Sequence, residues 1–321
     1  MTSARDRAFA ARLRATTRGE VRTEEPLARY STYRIGGPGT VAMPATEEDV
    51  ASALWLASEA GVEVFPLGLG SNVLLPDEGL DALVLRLGKG LDHAVQHDDP
   101  SLWRFGAGLP APLAARKTAQ SGWAGLHMMV GVPGTVGGGV YMNAGCHGGQ
   151  WSDVVTRVSA VARNGELVMI ERAEIPFAYR RSGLGDLVVL STEVELKSGP
   201  PEDLAAEVER LFAWRQRGTP FNKPCCGSVF TNPVWPADTP PGGPRTAGQL
   251  IEAAGLKGTR VGGAEISPMH ANYFVNLGDA RAEDIRRLME IAREEVERRF
   301  GVGLIPEVKL IRPDGGLIGF D

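Results

Sequence analysis

Between Lys117 and Asp153 the chain carries no Asp, Glu, Lys or Arg, and the middle of that run reads Gly131-Val-Pro-Gly134-Thr-Val-Gly137-Gly138-Gly139-Val-Tyr141-Met-Asn143-Ala-Gly145. No other stretch limits the fold as strongly. A membrane span is excluded, because the glycines and Pro133 would leave backbone donors unsatisfied in lipid. Two readings stay open: a buried loop between core elements, or a loop that lays bare backbone against a ligand. Clustered glycines permit positive φ, and consecutive N–H groups in such a bend form a concave anion site. An anionic cofactor with a large apolar ring would use both properties.

The common nucleotide loops can be tested against the residues. A phosphate loop needs Gly-x-x-x-x-Gly-Lys-Ser/Thr, whose lysine reaches the terminal phosphates, and the Gly131 to Gly139 run has no such lysine. A dinucleotide fingerprint occurs at Gly106-Ala-Gly108-Leu-Pro-Ala111, after the strand-like Leu102 to Phe105. No acidic residue follows at the distance that would hold a ribose, and Pro110 and Pro112 suit a helix start, so this is read as a plain strand-to-helix turn.

The length of 321 residues allows about two domains. With 43% apolar and 23% charged residues and a net charge of −5, the chain reads as an ordinary soluble globular protein. That balance disfavours a nucleic acid or an anionic membrane as partner, and no segment reads as a membrane-spanning helix. Three cysteines, Cys146, Cys225 and Cys226, form no Cys-x-x-Cys pattern, so neither a disulfide framework nor a metal site is expected, and a reducing cytoplasm fits. The arginine-rich residues 1–20 lack the apolar core of a secretory signal and read as a solvated, helical tail.

A helix is predicted from Thr46, with Thr46 and Asp49 spaced as a capping box and Gly61 as its stop. Strands follow at 62–65 and 82–87, with Gly68-Leu-Gly70-Ser71-Asn72 as a tight loop between them. A diphosphate could lie between this loop and the one at Gly131 to Gly138, and Ser71 and Asn72 add side-chain donors. Residues 154–161 and 166–170 read as a hairpin turning at Asn164-Gly165, and 187–190 with 193–196 complete the sheet. Two adjacent arginines, Arg180 and Arg181, are either a solvated edge or a clamp for a carboxylate. Ser198-Gly-Pro-Pro201 is a composition break. Beyond it come a helix at 202–215 and a proline-rich surface excursion at 233–244. A second capping box at Thr246 and Gln249, a helix after Asp279 capped by Gly301, and a strand at 304–311 complete the chain. Ser228 has no Gly-x-Ser-x-Gly elbow and no His and acid set, so a serine hydrolase is poorly supported. His270 reads as a hydrogen-bonded structural residue, and Glu307 as a paired charge or a carboxyl of altered acidity.

Six motifs in order resemble one family: Tyr33-Arg34-Ile-Gly36-Gly37, Gly68-Leu-Gly70-Ser71-Asn72, Gly131-Val-Pro-Gly134-Thr-Val-Gly137-Gly138, Tyr179-Arg180-x-Ser182, Cys226-Gly227-Ser228-Val-Phe and Leu304-x-Pro306-Glu307-Val. Together they are similar to the UDP-N-acetylenolpyruvoylglucosamine reductases, flavoenzymes of bacterial cell-wall precursor synthesis. The resemblance implies an α+β fold with a tail at 1–27. A vanillyl-alcohol-oxidase-type (PCMH) FAD-binding domain is implied at 28–199, in two α+β subdomains of about 28–87 and 88–199, and an α+β substrate-binding domain at 200–321. It implies noncovalent FAD, NADPH as reductant, and a nucleotide-sugar substrate whose enolpyruvyl double bond is reduced to give UDP-N-acetylmuramate.

Carried over residue by residue, the resemblance places Arg180 and Glu307 at the substrate carboxylate and makes Ser228 the proton donor. Tyr33, Gly68, Gly70, Ser71, Asn72, Gly131, Pro133, Gly134, Thr135, Gly137, Gly138 and Val189 are expected to hold FAD. Arg217, Lys223 and Asn232 are candidates for the uridine diphosphate or for the active-site network. Because Arg181 adjoins Arg180, either could face the substrate. Two other functions stay open: an FAD oxidase or dehydrogenase of an alcohol or hydroxy acid on the same scaffold, and a binding module without activity.

Overall fold

The computed structural model describes residues 4–235 and 242–318, so part of the proline-rich 233–244 segment lies outside the described residues. The chain forms two compact units: Met1–Glu25, Gly39–Leu69 and Asp81–Arg215 make the first, and Pro26–Pro38, Gly70–Leu80 and Gln216–Asp321 the second. Both mix helix and strand.

The first unit opens with helix α1 (Ala4–Thr16), and here the expectation of a solvated tail fails. Phe9, Ala10 and Leu13 are buried, and α1 packs on α2 (Glu47–Ala60). The arginines that dominate this segment's composition hid a short apolar stripe. Thr46 caps α2 by accepting from Asp49 N at 3.2 Å. Only half of the expected capping box forms, because the Asp49 carboxylate instead accepts from Ala45 N and Arg18 N. Gly61 ends the helix at φ 59°, and Val62 N donates back to Ala57 O at 2.8 Å. Val62 thereby belongs to the helix terminus, which is why the next strand runs Val64–Leu67 rather than 62–65.

That strand and Pro38–Met43 flank Leu83–Arg86 in parallel, with Glu20–Pro26 at the sheet edge. The α/β alternation read from sequence is this parallel sheet with α2 as its crossover. A second sheet runs in the order Leu167–Glu171, Val155–Val161, Val188–Glu195, Leu102–Gly106, Ala94–Gln96, with every neighbouring pair antiparallel. Gly165 turns its hairpin at φ 85°. Val188–Glu195 is one continuous strand, not two. Leu102–Gly106 feeds helix α3 (Ala111–Gln120) from an antiparallel sheet, so the glycines at 106 and 108 form no dinucleotide fold. Helix α4 (Val136–Tyr141) is formed by the second half of the glycine run, and α5 (Pro201–Gly218) buries Val208 and Leu211.

In the second unit a three-stranded antiparallel sheet, Arg260–Val261, Ala264–Ile266 and Phe274–Asn276, packs with α6 (Ala247–Ala253) and α7 (Ala282–Phe300). Thr246 and Gln249 form the complete capping box of α6. Helix α7 buries Ile285, Leu288, Met289, Ala292 and Val296, a stripe at helical spacing, and each large side chain contributes about 1.5–3 kcal/mol on burial. Gly301 caps it at φ 65°. The expected strand at 304–311 is shorter: Lys309–Leu310 pairs in parallel with Val73–Leu74. Pro306 has no N–H to donate to a ladder, and it meets Phe230 as an isolated bridge.

Candidate active site

Within the first unit Gly68 of the first glycine loop meets Thr135 of the second. A Cβ on Gly68 would lie 2.6 Å from Thr135 Oγ1, so only a glycine lets this backbone approach so near. Thr135 is buried; its hydroxyl accepts from Gly138 N at 3.3 Å and starts α4. The N–H groups of Val136, Gly137 and Gly139 donate to Leu109, Ala107 and Thr135 carbonyls at 2.8–2.9 Å. The row of donors expected from the glycine run is therefore already bonded within the chain from Val136 to Gly139. The run instead contributes close approach of bare backbone. Gly137 is pressed against Ala107, where a Cβ would meet another at 2.7 Å, and Gly131 lies against the side-chain stem of Arg215. Gly134 takes φ 135°, and Pro133 is exposed between them.

Arg86, which sequence reading passed over, braces the first loop: its guanidinium donates to the carbonyls of Gly68 and Leu87. The signal was a single cation closing the apolar strand Leu83–Arg86. Val189 is buried on its strand, opposite Ala160.

Arg180 and Arg181 take different positions. Arg180 adopts φ 56°, is half-buried, and its Nη2 donates to Gly145 O at 2.8 Å; Arg181 is exposed. Ser182 is buried, its hydroxyl donating to Tyr141 O at 2.7 Å, and Asn143 donates to Ala178 O at 2.9 Å. These bonds tie the 178–182 turn to the last residue of α4 and to the segment after it. His147 also follows α4, at φ 52° and edge-on to Trp214. Burial and the charge of Arg215 lower the pKa of its imidazole from the ordinary value.

The second unit holds the remaining candidates. Ser228 is half-buried, and the chain on either side of Phe230 is bonded to the 305–308 segment: Glu307 N donates to Val229 O at 2.8 Å, and Thr231 N to Ile305 O at 2.9 Å. Asn72 Nδ2 donates to Glu307 O at 3.2 Å, which ties the end of the first glycine loop to the same place. Tyr33 is fully buried with no partner for its hydroxyl among the described residues, and burial raises its pKa well above the ordinary value. Lys223 Nζ lies 3.1 Å from Glu265 Oε2. Asn232 accepts from Ala247 N at 3.1 Å, and Arg217 is exposed on α5. His270 Nδ1 accepts from Asn272 N at 3.2 Å, a structural bond as expected.

Comparison with known proteins supplies what geometry alone leaves open. Residues 38–171 match the FAD binding domain family model, and residues 219–311 match that of the UDP-N-acetylenolpyruvoylglucosamine reductase C-terminal domain. The reductase of Rubrobacter xylanophilus is 44% identical over 90% of this chain and 94% of its own. That of Halalkalibacterium halodurans is 38% identical over 93% and 97%. The chain belongs to the UDP-N-acetylenolpyruvoylglucosamine reductase family. A solved reductase of this family, from Thermus caldophilus, superposes with a TM-score of 0.76 at 32% identity, covering 91% of this chain and 99% of that one.

As a member of the reductase family, the chain is an FAD-dependent oxidoreductase with an α+β fold. The first unit's residues fit the cofactor there: Gly68 approaches Thr135 Oγ1 so closely that only bare backbone is admitted. Among the described residues no helix is long and apolar enough to cross a membrane, and no three His, Cys, Asp or Glu are placed to hold a metal.

Proposed function

We propose that this protein reduces UDP-N-acetylenolpyruvoylglucosamine to UDP-N-acetylmuramate in peptidoglycan precursor synthesis, working in the cytoplasm with FAD and with NADPH as reductant. One observation carries the reading: identity of 36–44% to reductases of this name extends over nine-tenths of the chain, through both the FAD-binding and the C-terminal regions. Gly68, Gly70, Ser71 and Asn72 of the first loop would hold FAD with Gly131, Pro133, Gly134, Thr135, Gly137 and Gly138 of the second, joined by Tyr33 and Val189. When bound, FAD supplies two-electron chemistry, accepting hydride from the nicotinamide and delivering it to the vinyl carbon beta to the substrate carboxylate.

The chain's own residues govern the chemistry at the substrate. Hydride addition drives negative charge into the carboxylate, and a preorganised cation and hydrogen bonds aimed there stabilise the transition state. Arg180 is assigned that role with Glu307, because its guanidinium is half-buried and already oriented while Arg181 stays in solvent. Ser228 gives its hydroxyl proton to the carbon alpha to the carboxylate, which completes the reduced lactyl ether. A serine hydroxyl is a weak acid, so the step depends on a strongly basic carbanion. Lys223, Arg217 and Asn232 are assigned to the uridine diphosphate. Spectra of the purified protein test the whole reading. Bleaching of flavin absorbance by NADPH, and its return on adding the enolpyruvyl nucleotide without oxygen, is the expected result. Rapid return with oxygen alone and none with that substrate would assign the chain to the flavin oxidases instead.

A further inference from the structure

Glu265 is 4% exposed and lies on the middle strand of the second unit's sheet, between the apolar residues Ala264 and Ile266. Its two carboxylate oxygens go to different cations. Lys223 Nζ takes Oε2 at 3.1 Å, while Arg260 takes Oε1 through Nε at 2.9 Å and Nη2 at 2.8 Å. Arg260 and Glu265 are direct cross-strand partners, so the sheet register itself holds that pair. The backbone at Lys223 is pinned as well, since its N–H donates to Pro220 O and the next residue's carbonyl accepts from Asn276 N.

A lysine paired with one carboxylate is a neutral unit and attracts a diphosphate poorly. Here the second cation alters the sum, because two positive groups share one negative group and the set keeps one net positive charge. We propose that Glu265 and Arg260 are positioning residues for substrate binding: Glu265 fixes the ammonium of Lys223, and Arg260 neutralises Glu265 so that the lysine keeps its charge for the nucleotide diphosphate. The inference rests on the assignment of Lys223 to that diphosphate. Arg260 acts through Glu265 and Lys223 without touching the ligand.

Steady-state kinetics of the FAD-loaded enzyme decide it. Arg260→Gln leaves a neutral Lys223–Glu265 pair, so KM for the enolpyruvyl nucleotide rises about fivefold or more at low salt, with kcat within about twofold. The deficit narrows as ionic strength increases, and Arg260→Lys, which retains the charge, keeps KM near that of the parent. The decisive variant is the double substitution Glu265→Gln with Arg260→Gln. Removing the carboxylate removes the need for its counter-charge, so KM returns to within about twofold of Glu265→Gln alone. An unchanged KM in Arg260→Gln, or a raised KM that the second substitution does not restore, overturns the proposal. Lys223→Met separates the two levels. If it leaves KM unaltered, the diphosphate assignment itself fails; if it raises KM while Arg260→Gln does not, only the role of Arg260 and Glu265 fails.

Discussion

The backbone N–H of Glu307 donates to the carbonyl of Val229 at 2.8 Å, one residue beyond Ser228. With Thr231 N on Ile305 O and the bridge between Phe230 and Pro306, this joins two segments far apart in sequence into one short antiparallel pairing. Main-chain bonds of this kind do not depend on side-chain rotamers. The proposed proton donor and the carboxyl assigned to the substrate are therefore carried on a shared backbone support within the second unit.

Ser228→Ala removes a proton donor and leaves that support intact. Bleaching of the flavin by NADPH is expected to proceed at nearly the parent rate, while reoxidation by the enolpyruvyl nucleotide slows on the order of 10²-fold or more. Stopped-flow absorbance measures the two half-reactions separately. Equal loss in both would contradict the assignment.

Arg180→Ala is expected to lower turnover on the order of 10²-fold or more, because a cation aimed at developing charge acts in the transition state. Arg181→Ala, at the exposed position, should remain close to the parent. The reverse pattern in kcat would transfer the role to Arg181.

Gly68→Ala inserts a methyl group where Thr135 Oγ1 lies 2.6 Å away. Overpacking at this contact should weaken FAD binding roughly tenfold or more, while the apoprotein stays folded. Fluorescence titration of the apoprotein with FAD gives the constant, and an unchanged value would remove the loop contact from the cofactor site.

Glu265 predicts a pH effect on stability. Burial raises its pKa, but the bonds from Arg260 and Lys223 outweigh this and hold it below the ordinary 4.5. A carboxyl whose folded value is depressed contributes stability that is complete above its unfolded value and is lost as pH falls through the folded one. The stability advantage of the parent over Glu265→Gln should therefore be constant above pH 4.5 and shrink below it. Urea unfolding across that range tests this; an advantage that grows on acidification would show the sign to be wrong.

Much of the fold was legible because its signals are local. Gly61 and Gly301 end helices where a left-handed residue is needed, Thr246 and Gln249 close a complete capping box, and Asn164-Gly165 turns a hairpin. Each involves residues a few positions apart. Where a distant group competed, local reading failed. Asp49 turned from the box to Ala45 and Arg18, and the short apolar stripe of α1 found a partner in α2 that its arginine-rich composition concealed.

The sequence by itself determined the family, the order of the motifs and the chemistry their side chains can perform, since these depend on residue type and spacing. Only the tertiary structure decided which of two adjacent arginines turns inward, that Gly68 abuts Thr135, and that Glu265 sits between Lys223 and Arg260. Such contacts join residues whose separation along the chain says nothing about their distance in space. They form when strands and loops close on one another, and neither periodicity nor capping encodes that closure.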